Sequence, residues 1–273
     1  MKLKVTHLLF ATIIISIGII SNSCKKKNPD DNSFNIFSIN EDIKLGQQVS
    51  AQIASDSVTY PILSETQYPV AYSHIRRIVN EILNSGKVYY KDDFAWETKI
   101  IKDDETLNAF CVPGGYLYVY TGLIKYLDTE DQIAGIMAHE IAHADRRHST
   151  DMLTKTYGIS MLFDIVLGKG SQGTLTNIAT SLLTLQYSKD NEREADNYSV
   201  IYMCPTEYNA AGSGDFFVKL EEAGTAGNTP AFLSTHPNPG DRITAINKKK
   251  SDLGCTGNQK FIDRYNDFKN SLP

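Results

Sequence analysis

The chain has 273 residues, 41% hydrophobic and 22% charged, with a formal net charge of −5. That is enough chain for a single substantial core. The mildly acidic balance, with no basic patch, argues against a nucleic-acid partner.

The N-terminus carries Lys2 and Lys4, then an apolar run over residues 8–20 broken only by Ser, Thr and Gly, then Ser21-Asn22-Ser23-Cys24. The run falls short of the roughly twenty apolar residues that a membrane span needs, so it reads as a cleaved signal. Small residues ahead of a cysteine predict a bacterial lipoprotein signal over 1–23, with cleavage between Ser23 and Cys24 and acylation of Cys24; Ser21 stands where such signals usually carry Leu. Loss of Lys2 and Lys4 takes the charge to −7 (−5 − 2). Residues 24–40, with Lys25-Lys26-Lys27 and Asp30-Asp31, read as a polar tether with too few apolar residues to pack. Residues 41–273 read as one domain, without an internal repeat or a Gly/Ser linker. The expected location is a bacterial cell envelope, facing the periplasm or the cell surface, with membrane contact through the lipid alone.

Periodicity and turn signals predict helices near 41–56, 69–85, 129–148, 150–167, 173–187, 189–203, 209–223 and 240–251, with strands near 95–102, 107–112 and 116–121. Pro113-Gly114-Gly115 is the turn between the last two strands. The fold class is α+β, helix-rich, with a small sheet beside the helix over 129–148. No run of about twenty apolar residues interrupts 150–187. Gly168–Gly173 reads as a surface loop between two helices or as a lid hinge. His74, on an ordinary amphipathic helix, is assigned no role.

The chemistry concentrates in His139-Glu140-Ile141-Ala142-His143. Residues four apart share one face of a helix, so both imidazoles can bind one metal ion. A glutamate beside them can take a proton from water that zinc has made acidic. Thr129 is a plausible N-cap, Glu130 and Asp131 lie in the first turn, and residues 133, 136, 137 and 141 are apolar at helical spacing. The motif is therefore expected late in an amphipathic helix buried on one side. A catalytic zinc takes three protein ligands, and Glu192-Arg193-Glu194-Ala195-Asp196 offers the third. Glu192 and Asp196 share a face and can serve as a ligand plus an acceptor for a zinc-bound histidine, or they are only a solvated charged face; Glu194 points elsewhere.

These residues resemble the zinc metallopeptidases of the prenyl-protein-protease and heat-shock HtpX group, peptidase family M forty-eight, in its periplasmic lipoprotein branch. The likeness rests on the two motifs above, on Leu107–Gly115 with Val119–Leu123, on Arg147-His148-Ser149, and on His236-Pro237 with Arg242-Ile243, over residues 40 to 250. It implies a gluzincin domain with one Zn2+ per chain, His139, His143 and Glu192 as ligands, Glu140 as general base, and Asp196 orienting a liganding histidine. It also implies that Asn108-Ala109-Phe110 lies along the cleft as an exposed strand edge, where an unfolded substrate adds as an extra strand. His236 sits on a stiff loop before the last helix, where Asp241 and Arg242 cap or pair within the first turn. The resemblance puts His236 near the zinc, as a fourth ligand that holds the enzyme inactive, as a donor to the oxyanion, or merely packed against Pro237. His148, five residues beyond His143, is read as facing elsewhere and structural.

The implied function is zinc-dependent endopeptidase action on unfolded, damaged or misassembled envelope proteins, its partners being protein or peptide substrates. The alternative is a zinc-binding, chaperone-like envelope lipoprotein. In an oxidising compartment Cys204 and Cys255, near the ends of C-terminal helices, are expected to pair while Cys111 stays buried, although sequence alone leaves three pairings open.

Overall fold

The computed structural model describes residues 37–158, 171–184, 186–223, 231–237 and 240–273, together with 160, 164 and 169. The expected signal, Cys24, nearly all of the tether and Gly168 and Gly170 of the glycine-rich connection lie outside the described residues.

Helix α1 (Ile39–Ser55) starts inside the stretch expected as tether. Ser38 and Glu41 fix its start reciprocally: Ser38 N–H donates to the Glu41 carboxylate at 2.6 Å and Glu41 N–H to Ser38 Oγ at 3.3 Å. Helix α2 (Pro69–Leu83) follows, with Pro at its first position. Strands β1 (Glu97–Ile101), β2 (Ala109–Val112) and β3 (Tyr116–Tyr120) form one sheet in the order β1-β3-β2. β1 runs parallel to β3, and β2 is antiparallel to it, with Ala109 opposite Val119 and Val112 opposite Tyr116. The β2–β3 turn passes through Gly114 (φ 77°) and Gly115 (φ 84°), backbone positions that a side chain would strain.

A short α3 (Thr121–Tyr126) leads into α4 (Glu130–Asp145), which carries the two histidines. All sixteen residues of α4 are buried, so the expectation of burial on one side is corrected. The sheet edge covers one flank of α4 and later helices cover the others. Several of its polar residues are matched by hydrogen bonds instead of solvated. Asp145, for example, accepts from Tyr90 N–H at 2.7 Å and from Tyr202 OH at 2.6 Å.

The expected helix over 129–148 stops early because Arg147 adopts φ 61°, ψ 28°. Its guanidinium reaches back to α1, with Nε 2.5 Å from Asp42 Oδ2. The chain restarts as α5 (His148–Tyr157). Helices α6 (Gln172–Thr184), α7 (Lys189–Met203, capped by Ser188), α8 (Gly212–Ala223), α9 (Ala231–Thr235), α10 (Arg242–Leu253) and α11 (Ile262–Asn270) complete the described elements. α7 and α8 pack on α4, and α10 on both. α8 approaches α4 closely at Gly135, where an added Cβ would lie 2.3 Å from Ser213 N. Cys204 and Cys255 form a disulfide joining the end of α7 to the residue after Gly254, and Cys111 is a free, buried thiol. Among the described residues no helix is long and apolar enough to cross a membrane.

Candidate metal centre

Helical spacing on α4 sets the His139 and His143 rings 4.6 Å apart, with their Nε2 atoms 3.0 Å from each other. α7 lies alongside and inserts Glu192, whose Oε2 is 3.5 Å from His139 Nε2 and whose Oε1 is 3.3 Å from His143 Nε2. His236, just after α9, closes the group, with Nδ1 3.0 Å from Glu192 Oε1 and 3.3 Å from His139 Nε2. All four side chains are buried, and their ligand atoms lie within 4.8 Å of one another.

This donor set fits a zinc ion. Ligand atoms on a tetrahedron with about 2.0–2.1 Å bonds stand roughly 3.4 Å apart, and the His139–His143, His143–Glu192, His139–His236 and Glu192–His236 atom pairs lie 3.0–3.3 Å apart. Imidazole nitrogens and a carboxylate converging in this way could hold a metal cation. Burial by itself would lower the His139 imidazole, yet hydrogen bonding and charge from Asp196 and Glu192 raise it to about 9. Burial takes His143 well below its ordinary value. A metal bound there would displace any proton from the ligating nitrogens. Glu192 is held well below the carboxylate range, against its burial, by the three histidines.

Behind the ligands, His139 Nδ1 faces Asp196 Oδ1 at 3.0 Å. Arg242, buried with its guanidinium 3.9 Å from the Phe217 ring centroid, holds Asp196 and also donates to Glu192 Oε2 at 2.9 Å. This corrects the expectation that Arg242 caps or pairs within the first turn of its own helix. The side chain turns inward because two buried carboxylates require a counter-charge.

His148 departs from expectation. On a continuous helix the fifth residue after His143 would point away from it, but the left-handed Arg147 folds the chain back. His148 Nδ1 then lies 2.9 Å from His143 Nδ1, and its Nε2 lies 3.3 Å from Glu194 Oε2. Glu194 points away from the four-residue group yet meets it through His148, and Arg146 Nε holds its Oε1 at 2.7 Å. Tyr187 received no role from sequence. It stacks on the His143 ring at 3.8 Å and 21°, with its hydroxyl 2.9 Å from Ser149 Oγ. Its place two residues before the helix expected from 189, at the head of the family-like segment running to Asp196, was the signal that could have marked it. His74, as expected, takes no part and stacks on Phe268.

Glu140 is fully buried, and neither carboxylate oxygen has a hydrogen-bond partner among the described residues. His236 Nε2 stands 3.4 Å from its Oε1. Burial raises the Glu140 carboxyl above its ordinary value, opposed by His236 and His139.

Asn108, Ala109 and Phe110 lie at the β2 edge of the sheet but are all buried. The expected exposed strand edge is therefore corrected. α4 packs on β2, Phe232 N–H occupies the Leu107 carbonyl at 3.0 Å, and the Phe110 ring stacks on Tyr118 at 4.7 Å.

Two histidines from α4, a glutamate from α7 and a buried carboxylate unbonded among the described residues, in a helix-rich α+β fold, define the zincin-like metallopeptidase class. The family model described as Peptidase family M48 matches residues 70–250, more than half of the chain. The chain belongs to that family. It is 28% identical over 216 residues to the mitochondrial metalloendopeptidase OMA1 of Schizosaccharomyces pombe, covering 78% of this chain and 62% of the relative. It is 31% identical over 154 residues to the putative beta-barrel assembly-enhancing protease of Vibrio cholerae, covering 52% and 32%. For the beta-barrel assembly-enhancing protease of Escherichia coli the identity is 27% over 169 residues, covering 56% and 34%. The match thus spans 32% to 62% of the length of these relatives.

Proposed function

We propose that the chain is a zinc-dependent endopeptidase that cleaves unfolded, damaged or misassembled proteins of a bacterial envelope. The observation that carries this reading is Glu140, a fully buried carboxylate without a hydrogen-bond donor among the described residues, beside four converging side chains that could hold a metal. Such a group is costly to keep unless it handles a proton.

In this reading His139, His143 and Glu192 hold one zinc, and Asp196 keeps the His139 ring turned toward it. Bound there, zinc supplies Lewis acidity, which polarises a peptide carbonyl and makes water acidic near neutral pH. Glu140 takes the proton of the attacking water on a carboxylate oxygen and returns it to the leaving amine. Its raised proton affinity suits both transfers. His236 is placed to serve as a fourth ligand or, swung aside, as a donor to the developing oxyanion. The names of the beta-barrel assembly-enhancing relatives and the signal-like start with Cys24 support action at the envelope from a lipid anchor.

The chaperone-like alternative has no use for Glu140. Glu140→Gln should keep near-stoichiometric zinc and lose casein cleavage, and in cells it should trap substrates. Full activity in that variant would refute the mechanism. Cys24→Ala should leave the membrane fraction or stay unprocessed, and membrane fractionation like wild type after cleavage would remove the anchor.

A further inference from the structure

The two motif histidines are backed differently. His139 reaches a carboxylate directly, through Nδ1 to Asp196 at 3.0 Å, and Arg242 holds that carboxylate. His143 has no carboxylate behind it. It meets His148, Nδ1 to Nδ1 at 2.9 Å, and behind His148 stands Glu194, held by Arg146. Three of these four side chains are buried to 1% exposure or less, and Glu194 is about one third exposed.

Two ring nitrogens at that distance share one proton, and its position decides what His143 can do. With the proton on His143 Nδ1, Nε2 carries a lone pair toward the ligand group. With the proton on His148 Nδ1, a neutral His143 must carry its proton on Nε2 and cannot ligate. Glu194 selects between these. Paired with Arg146, it is an acceptor only, so the His148 proton goes to Nε2 and leaves Nδ1 bare to receive the His143 proton.

We propose that His148 and Glu194 are positioning residues that hold His143 in its metal-ligating tautomer, as Asp196 does for His139. The arrangement is a carboxylate–histidine–metal relay lengthened by one imidazole, made possible by the left-handed turn at Arg147 (φ 61°). It rests on the metallopeptidase reading above.

The test uses the full chain, with zinc affinity measured by chelator competition and ring tautomers by nitrogen NMR of the zinc-loaded protein. His148→Leu, which nearly keeps the volume but accepts no hydrogen bond, should lose roughly 10–100-fold in zinc affinity. His148→Asn, smaller but with an oxygen close to the Nδ1 position, should recover most of that loss, an order that packing alone would reverse. Glu194→Ala should weaken zinc binding and move proton density onto His148 Nδ1, and denaturant unfolding is read beside it because Glu194 also pairs the buried Arg146. Zinc affinities of His148→Leu and Glu194→Ala within about threefold of wild type, or a His148 Nδ1–H tautomer in the zinc-loaded wild type, would overturn the relay. Casein cleavage is read in parallel. A wild type that binds zinc but cleaves nothing defeats the peptidase reading while zinc affinity and tautomer still decide the relay, and a wild type that takes up no zinc defeats both.

Discussion

Arg242 grips Asp196 with two hydrogen bonds, Nε to Oδ2 and Nη2 to Oδ1, both 2.8 Å, and the pair is completely enclosed. The fork geometry suits a carboxylate that must itself stay turned toward His139. Replacing Arg242 with Met should leave Asp196 and Glu192 as uncompensated buried charges. The metal-free protein should lose about 3–5 kcal/mol, and zinc affinity should fall about 10–100-fold. Denaturant unfolding and chelator competition measure the two losses, and a variant that matches wild type in both shows that the pair is dispensable.

What was legible in the sequence followed from local spacing. His139, His143 and the Glu192/Asp196 pair each lie four residues apart on one helix, so periodicity alone puts them on common faces. The three strands and most of the long helices were legible for the same reason. The residues that were not legible depend on where the chain crosses itself. Arg242 meets Asp196 across 46 residues, and His148 joins His143 only because a non-glycine residue takes a left-handed conformation that no side-chain pattern marks. The complete burial of α4 was hidden because its site residues are polar. α3 and α9, with six and five residues, are too short for periodicity to register. α11 buries only Tyr265 and Phe268.

The start of α4 is anchored by charge. Glu130, fully buried, accepts from Arg77 at 2.6 and 2.8 Å, from Tyr208 OH at 2.6 Å, and from Arg264. Burial would raise its carboxyl, but these donors hold it below the usual glutamate value. A depressed folded-state value means stabilisation that is present above the unfolded value and is lost as pH falls through the folded one. Glu130→Gln should therefore cost roughly 2 kcal/mol at about pH 7, since the two arginines remain partly solvated. The gap to wild type should shrink below about pH 4.5. Denaturant unfolding at several pH values reads it, and a gap that stays constant down to about pH 3 contradicts the ion-pair account.

The Cys204–Cys255 disulfide closes 51 residues of sequence and ties the end of α7 to the end of α10. Both helices pack beside the ligand group, but neither cysteine touches it. Loop-closure entropy for that span is about 4 kcal/mol, so the double Cys→Ser variant should lose roughly 2–4 kcal/mol while keeping its zinc stoichiometry. Thermal unfolding with metal analysis separates the two effects. Peptide mapping that finds both thiols free in the exported protein would remove the disulfide from the account.

His236 is held from several sides. Its ring stacks on Phe232 at 4.3 Å and 18°, its N–H donates to the Phe232 carbonyl at 2.8 Å, and the preceding Thr235 carbonyl accepts from Tyr187 N–H at 3.1 Å. These contacts exceed packing against Pro237 alone, and they put Nδ1 within 3.3 Å of both Glu192 and His139. A fourth protein ligand leaves no place for the attacking water, so opening this contact should precede each turnover. His236→Ala keeps His139, His143 and Glu192, and should therefore retain zinc while cleaving casein several-fold faster, chiefly through kcat. Slower cleavage at full zinc occupancy would instead make His236 a donor to the developing oxyanion, with its place among the ligands secondary to that role.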